Sequence, residues 1–122
     1  MLNVPGRVKI FLCLQPTDMR KSFDSLSALV GEVLAQDPLS GHLFVFRSKR
    51  GDRVKLLYWD DDGYVLWYKR LEAGTFRFPA SPRDDQRSLT VSAADLAMLL
   101  DGVDLSSVKR TKRYRRPMCA TS

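Results

Sequence analysis

The sequence contains little of what catalytic and metal-binding sites are commonly built from. It has two cysteines, Cys13 and Cys119, and one histidine, His42. Two cysteines are too few for a disulfide framework or a cysteine-rich zinc site, and we interpret them as free thiols in a reducing cytoplasm. No serine or cysteine nucleophile with an orienting carboxylate can be assigned to the lone histidine, so the sequence does not predict a catalytic triad. His42 lies where a turn meets a strand, and we expect it to make a local hydrogen bond.

A phosphate-binding loop and a membrane-spanning run are also missing. No Gly-Lys-Ser or Gly-Lys-Thr occurs, which excludes the common glycine-rich nucleotide loop. No apolar run approaches the roughly 18 residues that a membrane span requires. The first residues carry Arg7 and Lys9 and lack a small-residue cleavage site, so we expect no signal peptide. A chain of 122 residues has room for one modest domain, which excludes a large two-domain enzyme.

Carboxylates are more numerous, but their spacing does not make a metal centre. Asp18, Asp52 and the aspartates at positions 60–62 are the candidates for a magnesium site. The run at 60–62 precedes Gly63, where a tight hairpin turn is expected, and aspartate is a favoured turn residue. Adjacent turn residues also point in diverging directions. We therefore expect no metal and no other cofactor.

Acidic residues are missing from the C-terminal end. The chain has twenty Lys and Arg against fourteen Asp and Glu, a net charge of +6 and a pI near 9.6. Residues 106–122 hold six basic residues and no acid, which leaves fourteen residues of each sign in residues 1–105. Such a run is typical of a segment that stays disordered until it meets a polyanion, although a solubilising end is the alternative. The predicted phosphate contacts are Lys109, Arg110, Lys112, Arg113, Arg115 and Arg116.

Apolar periodicity predicts a strand and then a helix. Residues 7–15 carry apolar side chains on both faces, which indicates a strand covered on each side. Asp18 or Ser22 is expected to cap the helix that follows, and Asp37-Pro38 to end it. Its apolar stripe recurs at three- and four-residue steps and consists of Phe23, Leu26, Leu29, Val30, Val33 and Leu34.

A β-rich stretch and a second helix are predicted next. Strands are expected over residues 43–47, 53–59, 64–70 and 75–78, and Gly63 is expected to supply a positive φ in the second turn. Residues 89–91 then lead into a helix that Ser92 caps. We predict an α+β fold, an antiparallel β-meander of about four to five strands packed with one amphipathic helix, with a second short helix near the C-terminus. Residues 1–105 form this domain, and residues 106–122 form a basic disordered tail.

Basic residues concentrate across the first predicted hairpin. Arg53 and Lys55 share a face of a pleated strand, and Arg47 can join them from the neighbouring strand. Aromatic residues follow from Tyr58 to Tyr68; rings at strand spacing are usually core, and stacking on bases is the alternative. The cations of this hairpin that are predicted to contact nucleic acid are Arg47, Lys49, Arg50, Arg53 and Lys55.

An ordered series of motifs resembles a known family. Residues 16–26 are Pro-Thr-Asp-Met-Arg-Lys-Ser-Phe-Asp-Ser-Leu, and residues 50–60 are Arg-Gly-Asp-Arg-Val-Lys-Leu-Leu-Tyr-Trp-Asp. With Asp-Pro-Leu-Ser-Gly-His-Leu-Phe-Val-Phe-Arg at 37–47, Tyr-Lys-Arg-Leu-Glu at 68–72 and Phe-Arg-Phe-Pro at 76–79, they resemble the TnpB accessory protein of insertion-sequence-66 transposable elements. The resemblance covers roughly residues 4–103.

The resemblance implies a small protein encoded beside a separate, larger transposase and needed for efficient transposition. Ser22 and Ser25 stand where the family often has glycine. The motif residues that the resemblance marks are Asp18, Met19, Arg20, Lys21, Gly41, Gly51, Lys69 and Arg70. Asp18, Arg20 and Lys21 fit two roles, either a helix cap with an ion pair or a contact surface.

Three functions are open at the level of sequence. The first is a non-catalytic accessory protein that contacts element DNA electrostatically, with weak sequence preference, and assists the transposase. The second is an adaptor that binds the transposase or a second copy of itself through the aromatic hairpin, without touching DNA. The third, a magnesium-dependent nuclease using Asp18 or Asp60, has no spacing in its favour. We expect the first, with a cytoplasmic location, no membrane contact and no enzymatic activity.

Overall fold

The computed structural model of the protein describes residues 5–81 and 83–104. In these ranges the chain forms five strands and two helices. In chain order they are β1 (Ile10–Cys13), α1 (Phe23–Glu32), β2 (Leu43–Arg47), β3 (Arg53–Asp60), β4 (Gly63–Arg70), β5 (Ser88–Val91) and α2 (Ala93–Leu100). The predicted α+β class is confirmed.

The strands form a single sheet in the order β4-β3-β2-β1-β5. β2, β3 and β4 are antiparallel neighbours in chain order, as their short connections predict. β1 is parallel to β2, with Ile10 beside Leu43, because the segment containing α1 carries the chain back to the same end of the sheet. The meander therefore comprises β2, β3 and β4, and β1 joins it through a helical crossover.

Two segments differ from the sequence prediction. Residues 75–78 are not a strand: the Phe76 N–H donates to the Gly51 carbonyl at 2.7 Å, and the rings of Phe76 and Phe78 are buried in the core. Residues 89–91 do not simply lead into a helix but belong to β5, which pairs antiparallel with β1. The neighbours in the folded chain decide whether each segment becomes a strand. Residues 88–91 meet the free edge of β1 and pair with it, whereas residues 75–78 meet a loop.

The sheet is covered on both faces, as the doubly apolar β1 predicts. The α2 face carries the larger buried cluster: Ile10, Leu12, Leu43, Val45, Val54, Leu56, Phe76, Phe78, Leu96, Leu99 and Leu100. The α1 face carries a second cluster: Phe11, Cys13, Leu26, Val30, Leu34, Phe44, Phe46 and Leu57. Burial of these side chains is the main term that stabilises the fold, at about 25 cal/mol per Å² of apolar surface.

Helix α1 begins at a serine cap. Ser22 is the N-cap, and its N–H donates to the Ser25 hydroxyl at 3.1 Å. The predicted stripe is buried at Leu26, Val30 and Leu34, but Phe23 at the first position is 44% exposed. The helix ends at Glu32, before the predicted Asp37-Pro38 stop.

Helix α2 follows the predicted pattern closely. The Ser92 hydroxyl accepts a hydrogen bond from the Asp95 N–H at 3.0 Å, which satisfies one of the free amides of the first turn. Gly102 follows the helix at a φ of +91°, a left-handed conformation that glycine adopts without steric cost. The buried face consists of the predicted Leu96, Leu99 and Leu100.

The turn between β3 and β4 places its left-handed residue differently from the prediction. The positive φ belongs to Asp61, at +52°, and not to Gly63. Aspartate tolerates this region better than most residues because its short side chain can bond locally. Across the hairpin, the Trp59 and Tyr64 rings meet edge to face with centroids 5.1 Å apart.

Candidate nucleic-acid interface

The turn between β2 and β3, residues 48–52, exposes two of the predicted cations. We call residues 48–52 the basic loop. Its Gly51 is buried at a φ of +82°, and the Gly51 N–H donates to the Ser48 carbonyl at 3.0 Å. A Cβ at this glycine would lie 3.3 Å from the Thr75 Cβ. The close approach fixes the loop against the segment at 75–81, and Lys49 and Arg50 remain exposed beside it.

A groove of about 450 Å³ is lined by the basic loop and residues 75–81, which meet where the Phe76 N–H donates to the Gly51 carbonyl. Its lining includes Leu14 and the buried rings of Phe76 and Phe78. Among the residues that the structure describes, no acidic residue lines it. The cations that line this basic groove are Arg47, Lys49, Arg50 and Arg77.

Arg47 forms a fixed wall of the basic groove. Its Nη2 donates to the Leu14 carbonyl at 3.0 Å, and its guanidinium carbon lies 5.1 Å from the Phe78 ring centroid. Its Nε is buried and has no hydrogen-bond partner. Neither the ring nor the carbonyl is anionic, so neither offsets the positive charge of the guanidinium.

The groove cations are largely free of acidic partners. Within residues 5–81 and 83–104, no ion pair involves Arg47, Lys49 or Arg50. Arg77 is the exception, with its Nη2 3.8 Å from the Asp104 carboxylate. The basic groove therefore presents a positive surface that internal pairs do not cancel.

Arg53 lies apart from the groove. It is the first residue of β3 and stands directly across from Arg70 of β4, on the α1 face of the sheet. Arg70 in turn pairs with Glu72 at 3.0 Å. Arg53 is half-buried and does not line the basic groove.

Lys55 has a different environment from the one its place in the sequence indicates. It is buried, at 6% exposure, and its Nζ donates to the Met19 and Lys21 carbonyls at 2.7 Å each. The same ammonium lies 4.6 Å from the Tyr68 ring centroid. Its donors are used internally, so we remove Lys55 from the proposed nucleic-acid contacts. It holds residues 16–22, which we call the motif loop, against the sheet.

The motif loop carries an exposed ion pair. The Asp18 carboxylate accepts from the Arg20 Nη2 at 2.7 Å and from the Arg20 N–H at 2.9 Å. The Arg20 hydrogen bonds hold the pKa of Asp18 at about 2, below its usual 3.8. Asp18 therefore pairs with Arg20, and the cap of α1 belongs to Ser22.

Two further motif residues are Gly41, which lies in the bend before β2, and Lys69, which lies near the end of β4. Gly41 has a φ of +86°. The Nδ1 of the adjacent His42 accepts a hydrogen bond from the Lys9 N–H at 3.0 Å, which joins the starts of β1 and β2. Lys69 is exposed on β4. The six tail cations predicted to bind phosphate lie outside the described residues.

The aromatic residues of the hairpin take part in packing. Tyr58 and Trp67 pack on the core of the α2 face, and Tyr64 packs on that of the α1 face. Tyr68 is 48% exposed.

Candidate catalytic groups are sparse in the described residues. These ranges contain no group of three or more His, Cys, Asp or Glu side chains that could hold a metal ion. The Cys13 thiol is buried, and burial raises its pKa. Neither α1 nor α2 is long and apolar enough to cross a membrane.

These features define a small α+β protein in which four basic side chains line one groove. The chain belongs to the IS66 Orf2-like family, whose model matches residues 8–110. It is 43% identical to uncharacterized protein y4jC of Sinorhizobium fredii, over 96% of this chain and 97% of that protein. It is 37% identical to uncharacterized protein y4hO of the same organism, over 93% and 96% of the two chains. No solved structure matches it. The resemblance inferred from the motifs is confirmed.

Proposed function

We propose that the protein is a non-catalytic accessory factor of IS66-type transposition that contacts DNA phosphates and assists a separate transposase. Membership of the IS66 Orf2-like family supports an accessory role in transposition. The DNA contact is the more specific part of the proposal. The proposal includes a cytoplasmic location, which the interpretation of the two cysteines as free thiols favours.

The observation that carries the DNA contact is the basic groove. Lys49 and Arg50 are exposed, Arg47 is fixed beside them, and no acidic residue in the described ranges lines the basic groove. A cation placed on a phosphate releases condensed counterions, which favours binding at low salt. Phosphate contacts carry no sequence information, so we expect similar affinity for duplexes of different sequence.

The tail supplies the second part of the proposed contact. Its six cations account for the entire net charge of the chain. This part rests on the sequence alone. We expect the tail to add affinity without adding sequence preference.

The test compares two double variants of the full chain. Lys49→Gln/Arg50→Gln removes two groove charges, whereas Arg7→Gln/Lys9→Gln removes two exposed charges before β1, at the opposite end of that strand from Leu14. Binding to a labelled duplex is measured by fluorescence anisotropy in a salt series. We expect the affinity of the groove variant to fall at least about tenfold, and its negative slope of log K against log salt to become shallower by about 2.

Equal losses in the two variants would reduce the contact to a net-charge effect and contradict a role for the groove. Failure of the unchanged protein to bind any duplex in dilute salt would contradict DNA contact altogether. Co-purification with the transposase after nuclease treatment would then favour the adaptor function.

A further inference from the structure

The outer strand of the sheet, β4, has an edge without the usual protection. It is eight residues long and occupies one end of the sheet, where, within residues 5–81 and 83–104, it pairs with β3 on one side only. Its register with β3 runs from Gly63 to Arg70 without a bulge. Every second residue therefore directs its N–H and C=O away from the sheet.

The composition of β4 favours strand pairing at this edge. Its first six residues, Gly-Tyr-Val-Leu-Trp-Tyr, contain no charge and no proline, the features that commonly block an edge. Their side chains are half-buried up to Trp67, and Tyr68 is exposed. The opposite edge of the sheet, β5, is only four residues long.

Charge distinguishes the orientation of a partner strand. The acidic turn, residues 60–62, precedes β4, and Lys69 lies near its end. In the described part of the chain neither the acidic turn nor Lys69 forms an ion pair. Two antiparallel copies of β4 would bring the acidic turn of each copy beside Lys69 of the other. A parallel arrangement would place like charges together.

We propose that β4 pairs antiparallel with β4 of a second copy, so that one sheet continues through both copies. The main-chain groups of the two edges bond to each other, and the half-exposed rings gain cross-strand neighbours. The acidic turn and Lys69 set the antiparallel orientation. This inference is independent of DNA contact, and its test contains no DNA.

Charge reversal with complementation tests the interface. Lys69→Glu makes both ends of the pairing acidic, and Asp60→Lys/Asp62→Lys makes both ends basic. We expect the dimer dissociation constant of each variant to rise about tenfold above that of the unchanged chain. An equimolar mixture of the two variants regains opposite charges at both ends, so we expect it to form a heterodimer. Sedimentation equilibrium from micromolar to near-millimolar protein measures this.

Two additional measurements locate the interface. Arg87→Glu reverses an exposed charge before β5, at the other edge, and should leave dimerisation unchanged. Hydrogen exchange should slow at alternate amides of β4 as protein concentration rises. A chain that is monomeric at every concentration overturns the proposal, as does a dimer that survives both charge reversals or leaves the β4 amides unprotected.

Discussion

Burial and hydrogen bonding give Lys55 a structural role at the scale of a single residue. Its ammonium bonds two carbonyls of the motif loop, and replacing it with methionine would leave both without that partner. Charged hydrogen bonds of this kind contribute roughly 1.5–3 kcal/mol, so we expect Lys55→Met to lower the free energy of unfolding by about 2–3 kcal/mol. Urea denaturation measures the change.

Lys49 provides the matched control for that substitution. It is exposed on the basic loop, so we expect Lys49→Met to change stability by less than about 0.5 kcal/mol. DNA affinity should respond in the opposite way, falling for Lys49→Met and holding for folded Lys55→Met. Equal stability of the two variants would contradict the buried role of Lys55.

The contrast between these two lysines shows what sequence could and could not predict at the candidate site. Alternation along β3 correctly places Arg53 and Lys55 on one face, and the turn signal correctly exposes Lys49 and Arg50. The prediction that Arg47 joins Arg53 and Lys55 was wrong, because Arg47 pairs with Val54 and so lies on the opposite face. Burial of Lys55 depends on carbonyls that lie 34 and 36 positions earlier in the chain. No local pattern carries that information. The presence of Arg77 at the groove was missed for the same reason, because residues 75–81 reach the basic loop only in the folded chain.

The pair formed by Asp18 and Arg20 predicts a measurable titration. The pKa of Asp18 is lowered to about 2, so the pair stabilises the folded state above the usual pKa of 3.8. That contribution is lost as pH falls from 3.8 through about 2. Arg20→Gln removes the main cause and keeps the main-chain hydrogen bond from residue 20, so we expect the pKa of Asp18 to rise from about 2 toward 3.8 in this variant. Carbon NMR of the carboxyl group gives both midpoints. Identical midpoints in the two proteins would contradict the ion pair.

At the scale of elements, one glycine couples the basic loop to the groove wall. Gly51→Ala puts a methyl group 3.3 Å from the Thr75 Cβ and forces alanine to a φ of +82°. A non-glycine residue in this region costs roughly 1–3 kcal/mol, and we expect a loss of stability of about that size. Thermal unfolding by calorimetry measures it.

Gly31 is the matched control for Gly51. It lies within α1, and an added Cβ there has no atom within 4 Å. Because alanine favours a helix over glycine, we expect Gly31→Ala to raise stability by about 0.5–1 kcal/mol. A Gly51→Ala chain as stable as the unchanged protein would show that the loop can move away from Thr75.

Elements with a strong local signal were predictable, and elements that depend on a distant partner were not. The serine cap and the leucines of α2 are both local, and both are as predicted. The parallel pairing of β1 with β2 depends on how α1 packs, and β5 exists because β1 has a free edge. Residues 75–78 have the apolar alternation of a strand, yet Phe76 bonds to the basic loop.

At the scale of the whole molecule, the chain consists of a formally neutral region, residues 1–105, and a basic tail, residues 106–122. Residues 1–105 carry fourteen residues of each sign, and the tail carries six cations and no acid. The body can therefore present a positive surface only by local arrangement, as it does at the basic groove. The tail is basic wherever it lies. If both regions bind a polyanion as proposed, we expect their contributions to be separable, since one depends on the fold and the other on composition.

This separation predicts how the salt dependence of DNA binding is distributed. Changing the six tail cations to glutamine leaves the fold of residues 5–104 without any altered side chain. If all six bind phosphate, the negative slope of log K against log salt should become shallower by about 5. It should become shallower by about 2 in the groove variant Lys49→Gln/Arg50→Gln and by about 7 in the combined variant, since the sites are distinct. Anisotropy in a salt series on duplex DNA measures all four proteins. An unchanged slope in the tail variant would contradict phosphate contact by the tail and leave the groove as the proposed contact. If the slope of the combined variant changes no more than that of the tail variant, the groove makes no contact and the tail alone binds phosphate.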